Sequence, residues 1–286
     1  MSVELREGDW LDDNRAGWDE RVGVHLASTF YDQAPLRAGG SVLDPIARAG
    51  IDRLFPDGLE GVRVLHLQCH FGSDSLSLVS GGASVVGIDF SPAAVAEARR
   101  MAIEIGVADR ARFIEANVYD ARHMLPEPES FDLVFVTWGT INWLPDVAEW
   151  ARIVAWYLKP GGRLYFAEGH PTAMVFDGDD GPDGLPSIRY AYQSEQPEIL
   201  DDPSDYADPE ARLANARTWE WSHPIDEVLS ALRDAGLALE AFTEHYSVPW
   251  RVFPATVELG EGMYGWPAER WLPLSYELVA LNPSVE

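Results

Sequence analysis

The chain has 286 residues, 47% of them hydrophobic, enough to bury the core of one large α/β domain and too apolar for global disorder. Its net charge of −26 repels phosphate backbones and anionic lipid at long range, so neither nucleic acid nor a membrane surface is expected as a partner. Cys69 is the single cysteine, which excludes an internal disulfide. No stretch approaches the ~18 apolar residues of a membrane span, and the acidic N-terminus lacks a signal core. A cytoplasmic location is expected.

In chain order, short apolar stretches alternate with helix-like ones between about 41 and 170, the pattern of a parallel sheet flanked by helices. The strand candidates are "RVLHLQ" (63–68), "SVVGID" (84–89), "ARFIEA" (111–116), "FDLVFVT" (131–137) and "GRLYFAE" (162–168). They read as strands covered on both faces. Between them, Ser91 and Pro92 open a helix that runs to Gly106, and 145–158 places apolar residues at helical spacing before the turn signal "KPGG". Residues 171–216 break the pattern with eleven acidic residues, two arginines and six prolines. That segment cannot build a core of its own, and its length suits a lid or a solvated insertion. After it come a short strand (218–222), a helix (223–237) and two strands, "ALEAFTEHYS" and "LSYELVALN", which suit an antiparallel pair at a sheet edge.

The stretch "VLHLQCHFG" runs from a buried strand into a tight turn and a helix N-terminus. Asp89 then ends the next strand, 17 residues after Gly72. A turn of this kind presents backbone N–H groups at the C-terminal edge of the sheet, and a carboxylate there accepts from both hydroxyls of a ribose. The unit suits a nucleoside-containing cofactor. A second reading makes Asp89 the cap of the next helix, although Ser91 fills that position well.

This segment resembles the first two motifs of class I S-adenosylmethionine (SAM)-dependent methyltransferases. His66 stands where that family usually has Asp, Gln68 and His70 where it has its first two glycines, and Gly72 keeps the third; "HLQCHFG" looks like the signature of a bacterial small-molecule branch. "IEANVYDA" is similar to the third motif, "FDLVFVTWGTINWLPD" to the fourth strand and its loop, "LKPGGRLYFAE" to the fifth strand, and "WSHPIDEVLSALRDAGLALEAFTEH" to the last helix and sixth strand. The resemblance covers about 20–170 and 217–286. It implies a Rossmann-like, doubly wound α/β fold with a mostly parallel seven-stranded sheet, an antiparallel edge, an N-terminal helical lid (1–40), a cofactor-binding core (41–170), an insertion or lid after strand five (171–216) and a C-terminal helix with edge strands (217–286). The whole is expected to be one domain.

The function implied is methyl transfer from SAM to the O, N or C atom of a small-molecule acceptor, with S-adenosylhomocysteine as product. The cofactor contacts implied are Gln68, His70 and Gly72 in the turn, Asp89 and Phe90 at the ribose, Asn117 and Val118 at the adenine, and Thr137 and Trp138 at the methionine end. In the N-terminal segment, Arg21 and Tyr31 could meet the cofactor's carboxylate, and His25 could touch cofactor or substrate; a surface ion pair is the competing reading of Arg21. His170, just past strand five, is the preferred general base, with a structural histidine as its alternative. Trp138, Asn142 and Trp143 could line the acceptor pocket or belong to the core. The aromatics Trp250, Phe253, Tyr264, Trp266 and Trp271 could wall a substrate or form a satellite core. No His, Asp or Glu set has metal-ligand spacing, so no metal is expected. The sequence sets no expectation for oligomeric state. A non-catalytic SAM-binding or partner-binding protein on the same fold is the alternative. A nicotinamide-dependent oxidoreductase fits less well, since "QCHFGS" lacks the G-x-G-x-x-G pattern.

Overall fold

A computed structural model describes residues 4–180 and 186–284. Residues 181–185 of the expected insertion lie outside the described residues. The strands are β1 (Arg63–Leu67), β2 (Ser84–Asp89), β3 (Ala111–Glu115), β4 (Phe131–Thr137), β5 (Leu158–Gly169), β6 (Phe176–Asp180), β7 (Pro186–Ile188), β8 (Glu198–Asp201), β9 (Arg217–Glu220), β10 (Ala238–His245), β11 (Ser247–Val248), β12 (Val257–Gly260), β13 (Met263–Gly265) and β14 (Ser275–Leu281). The helices are α1 (Asp9–Ala27), α2 (Ala34–Arg37), α3 (Pro45–Leu54), α4 (Ser73–Ser80), α5 (Pro92–Glu104), α6 (Ala121–Met124), α7 (Val147–Tyr157), α8 (Pro171–Met174) and α9 (Ile225–Asp234).

Seven strands form the central sheet in the order β10-β14-β5-β4-β1-β2-β3. β1 to β5 pair in parallel, whereas β14 runs antiparallel to both β5 and β10. The reversed strand therefore lies one place in from the edge, and β10 outside it points the same way as β5. This is the sheet of a doubly wound fold with one strand reversed. It differs from a dinucleotide-binding sheet, whose strand order is 3-2-1-4-5-6.

Alternation along each strand feeds two core layers, because successive side chains leave opposite faces of a strand. Leu65, Val134, Val136, Leu164 and Phe166 face one layer with Trp150 of α7 and Val228 of α9. Val64, Leu133, Phe135 and Tyr165 face the other with Ile51 of α3, Leu76 of α4 and Val95 of α5. Ser91 caps α5 as its sequence position predicts, its hydroxyl accepting from the Ala94 N–H at 3.0 Å. α7 stops at Tyr157, before "KPGG" as the turn signal predicts, but β5 takes up the chain at Leu158 instead of after the turn. Gly161 sits within it at φ +82°, its N–H donating to Asn282 O.

The acidic segment after β5 contributes the β6–β7 pair and β8, which pairs with β9 just beyond it. It is tied down at particular points: Leu213 and Asp205 are buried, and Glu20 of α1 accepts from the N–H groups of Ala214 and Asn215, both at 2.8 Å. Beyond β10, β11, β13 and β12 form a three-stranded sheet. Among the described residues, no helix is long and apolar enough to cross a membrane.

Candidate active site

A cavity of about 830 Å³ opens at the C-terminal edge of the parallel strands, toward the upper end of the range for small-molecule sites. The turn after β1 forms its floor. Gln68 and His70 both sit in the left-handed region, at φ +56° and +52°, and Gly72 follows at +78°. Left-handed backbone costs a non-glycine residue about 1–2 kcal/mol. The two side chains at positions where glycine would be at ease therefore store strain at the site. The turn keeps its shape through backbone bonds, Cys69 N–H to Ile88 O at 3.0 Å and Gly72 N–H to Cys69 O at 2.9 Å, and through the Gln68 side-chain amide, which donates to Thr140 O at 2.7 Å. Gly72 is also required by packing. A Cβ there would lie 2.7 Å from the Phe113 ring.

Asp89 ends β2 at the cavity wall. One carboxylate oxygen accepts from the His70 N–H at 2.7 Å and the other from the Ser91 N–H at 2.9 Å. Each oxygen keeps a lone pair for a further donor. Burial raises its carboxyl to about 6, against the pull of those two N–H groups. Phe90, Ile88, Val118 and Trp10 surround this end. Asn117 also lines it, but its side chain is engaged: Oδ1 accepts from the Tyr119 N–H at 3.2 Å and Nδ2 donates to Leu5 O at 2.9 Å.

The far end holds a feature the sequence reading missed. Asp44 and Asp74 both line the cavity. Asp44 Oδ1 caps α3, accepting from the Ile46 and Ala47 N–H groups, and its Oδ2 accepts from the Trp138 indole N–H at 2.7 Å. Asp74 Oδ2 accepts from the Thr137 hydroxyl at 3.2 Å. Burial, then the neighbouring Asp44 charge, raises Asp74 to about 7, and burial raises Asp44 as well. The signals were weak: Asp44 precedes a proline at a helix start and reads as a cap, and Asp74 lies in the serine-rich first turn of α4.

Of the residues expected at the cofactor, Tyr31, Gln68, His70, Gly72, Asp89, Phe90, Asn117, Val118, Thr137 and Trp138 all line the cavity. Arg21, His25 and His170 are not among its lining residues. Arg21 and His25 instead meet Asp205 of the insertion, at 3.5 and 3.1 Å. Burial works against that charge, but the His25 hydrogen bond and Arg21 hold Asp205 below the usual carboxylate range. Next to this cluster, Tyr31 and Tyr206 share a hydroxyl–hydroxyl bond of 2.5 Å, so the insertion reaches the cavity through Tyr206. His170, the preferred base, caps α8: its Nδ1 accepts from the Thr172 N–H at 3.2 Å, and its Nε2 meets Glu244 at 3.2 Å. Both ring nitrogens are thus engaged away from the cavity, as a structural histidine's would be. The neighbouring Glu168 accepts from the Gly139, Thr140 and Gly169 N–H groups, pinning the loop after β4. The C-terminal aromatics divide. Trp250 and Tyr264 line the cavity, Phe253 stacks on Trp266 in a separate cluster, and Trp271 is exposed.

Residues 64–162 match the family model of a methyltransferase domain. Residues 64–162 thus carry a methyltransferase domain. The sheet order, with its one reversed strand, agrees with the class I SAM-dependent methyltransferase fold. The chain is 36% identical over 118 residues to a ubiquinone biosynthesis O-methyltransferase of Ralstonia nicotianae, covering 41% of this chain and 48% of that one. With the protein of the same name from Xanthomonas euvesicatoria it shares 29% identity over 79% of this chain and 82% of the relative. The methyltransferase thus spans about half the length of the first of these relatives. Among solved structures, its fold is similar to that of an S-adenosylmethionine dependent methyltransferase from Mesorhizobium loti, with a TM-score of 0.56 and 20% identity over 82% of this chain and 96% of that one. It is also similar to the fold of geranyl diphosphate C-methyltransferase from Streptomyces coelicolor, with a TM-score of 0.53 and 14% identity over 97% and 99%.

Proposed function

We propose that the protein binds SAM in this cavity and transfers its methyl group to a small-molecule acceptor by in-line displacement. The observation that carries the reading is the Asp89 carboxylate, fixed by the N–H groups of His70 and Ser91 at the rim of the cavity. It is pre-set to accept two further hydrogen bonds, as vicinal ribose hydroxyls would donate them. The residues fit an adenosyl group: apolar Ile88, Phe90 and Val118 line the cavity with Asp89, as does the Gly72 turn. The bound sulfonium would supply an already activated methyl group.

The chain's own part is then to position, desolvate and exclude water. α1, the segment that follows it and the insertion line one side of the cavity, joined at Asp205 and at the Tyr31–Tyr206 bond. Aromatic faces at the β4 end, Trp138 and Trp250, suit a cationic sulfur. Their rings meet edge to face at 5.8 Å. The partner expected is a small molecule; the names of the relatives favour one of metabolic size.

Calorimetric titration with S-adenosylhomocysteine, with NAD as control, tests the reading. Micromolar binding of the first and none of the second supports it. Absence of S-adenosylhomocysteine binding refutes it, and binding without turnover on any acceptor would leave a non-catalytic SAM-binding protein.

A further inference from the structure

Resting on the methyltransferase reading, we infer that the acceptor is an amine, held as its ammonium between Asp44, Asp74 and the indoles of Trp138 and Trp250. Three observations on the cavity itself lead there. First, no lysine or arginine stands among its described lining residues. Its two histidines are kept neutral by burial, His66 at about 3 and His70 well below its usual value. An anionic acceptor finds no counter-charge there.

Second, the carboxylates are placed for the acceptor and not for the ribose. Asp74 is bonded to Thr137 and Asp44 to Trp138, at the end of β4 and just beyond it, whereas Asp89 ends β2. β1 lies between those strands, so the two acidic positions stand about 10 Å apart across the sheet. Third, the wall beside the pair is aromatic. Trp138 is held at φ +55°, with its indole N–H fixed on Asp44 and its ring in T-shaped contact with Trp250. Carboxylates beside an aromatic wall are what an alkylammonium selects.

The chemistry closes. An acceptor arriving as R–NH₃⁺ must lose one proton to expose its lone pair, and a carboxylate pair that binds one proton near neutrality takes it. The nitrogen lone pair then forms the N–C bond to the methyl carbon as the C–S bond breaks, its electron pair going to sulfur. The products are R–NH₂⁺–CH₃ and the neutral thioether. The proton on the Asp74 pair leaves to solvent when the cavity opens.

The test is calorimetric and does not require knowledge of the natural acceptor. The protein saturated with S-adenosylhomocysteine is titrated with methyl-, benzyl- and 2-phenylethylamine and with the alcohol of the same skeleton in each case. At least one amine is expected to bind ten-fold or more tighter than its alcohol. Asp74→Asn and Asp44→Asn are expected to reduce that preference to within two-fold with S-adenosylhomocysteine affinity retained. Asparagine also caps helices, so Asp44→Asn keeps α3. The inference is overturned if no amine outbinds its alcohol. It is equally overturned if the amine preference persists in variants that still bind S-adenosylhomocysteine, or if the variants lose S-adenosylhomocysteine affinity, which would assign the pair to the cofactor's own ammonium. Failure of the wild type to bind S-adenosylhomocysteine is a separate readout and refutes the methyltransferase reading itself.

Discussion

Gly72 is the one family glycine kept in a turn that otherwise carries glutamine and histidine, and replacing it by alanine separates two reasons for keeping it. Gly72→Ala imposes the left-handed penalty of about 1–2 kcal/mol at φ +78°. It also drives a Cβ to 2.7 and 2.9 Å from the Phe113 ring and 3.0 Å from Ala98 Cβ, overpacking that costs about 1–3 kcal/mol more. Gly106 offers the control, at φ +75° with nothing within 4 Å of an added Cβ, so Gly106→Ala should show the backbone penalty alone. The expected losses are about 2–5 kcal/mol for Gly72→Ala and about 1–2 kcal/mol for Gly106→Ala. At roughly 2–4 °C per kcal/mol for a chain of this size, these are about 4–20 °C and about 2–8 °C in Tm. Thermal unfolding by circular dichroism, with urea titration as a second measure, reads both. Equal losses at the two positions would refute the packing argument and leave Gly72 a purely conformational requirement.

Asp89→Ala should weaken S-adenosylhomocysteine binding by about 1–3 kcal/mol, the range for an unmade hydrogen bond at a buried group; unchanged affinity by calorimetry would remove Asp89 from the ribose. Because burial raises Asp89 to about 6, the empty site holds a proton that ribose hydroxyls must displace, so S-adenosylhomocysteine affinity should rise as pH climbs from 5 to 7 and the rise should vanish in Asp89→Asn. The same raised carboxyl works the other way on stability: its contribution is full below the unfolded value near 3.8 and is lost as pH rises through about 6, which Tm against pH in wild type and Asp89→Asn will show. Asp205→Ala should destabilise the protein by about 3–5 kcal/mol, since it strands Arg21 and His25 in a buried position; a change below about 1 kcal/mol, the ceiling for an exposed pair, would mean that the insertion is not anchored there.

The residues that sequence patterning locates are those whose role is local. β2 and β4 coincide with the stretches read as strands, because an apolar run between turn residues has few other stable conformations once helices cover both faces. Asp89 was legible because a carboxylate at the end of the second strand is placed by the chain's own succession of strand, turn and helix. Gly72 was legible for the same reason, as the glycine that starts α4. Gln68 and His70 were legible as positions, but not as strained ones, since their turn is held by bonds to Asp89 of β2 and Thr140 of the loop after β4.

What depends on contacts between distant segments was not legible. His170 sits at the right strand end for a base, yet its neighbours Thr172 and Glu244 occupy both ring nitrogens, and Glu244 is 74 residues away. Arg21 and His25 read as possible ligands until the insertion, some 180 residues on, places Asp205 against them. Asp44 and Asp74 are 30 residues apart in the chain, and neither signals the other; Thr137 and Trp138 draw them to one wall only after β4 is laid beside β1. The sequence by itself determined the strands of the central sheet, the main helices between them, their order and the strand-end carboxylate, because these follow from local periodicity and turn chemistry. The tertiary structure alone decided which charges are paired, which are neutral and which face the cavity, because burial and opposing charge are set by whatever the rest of the chain brings alongside.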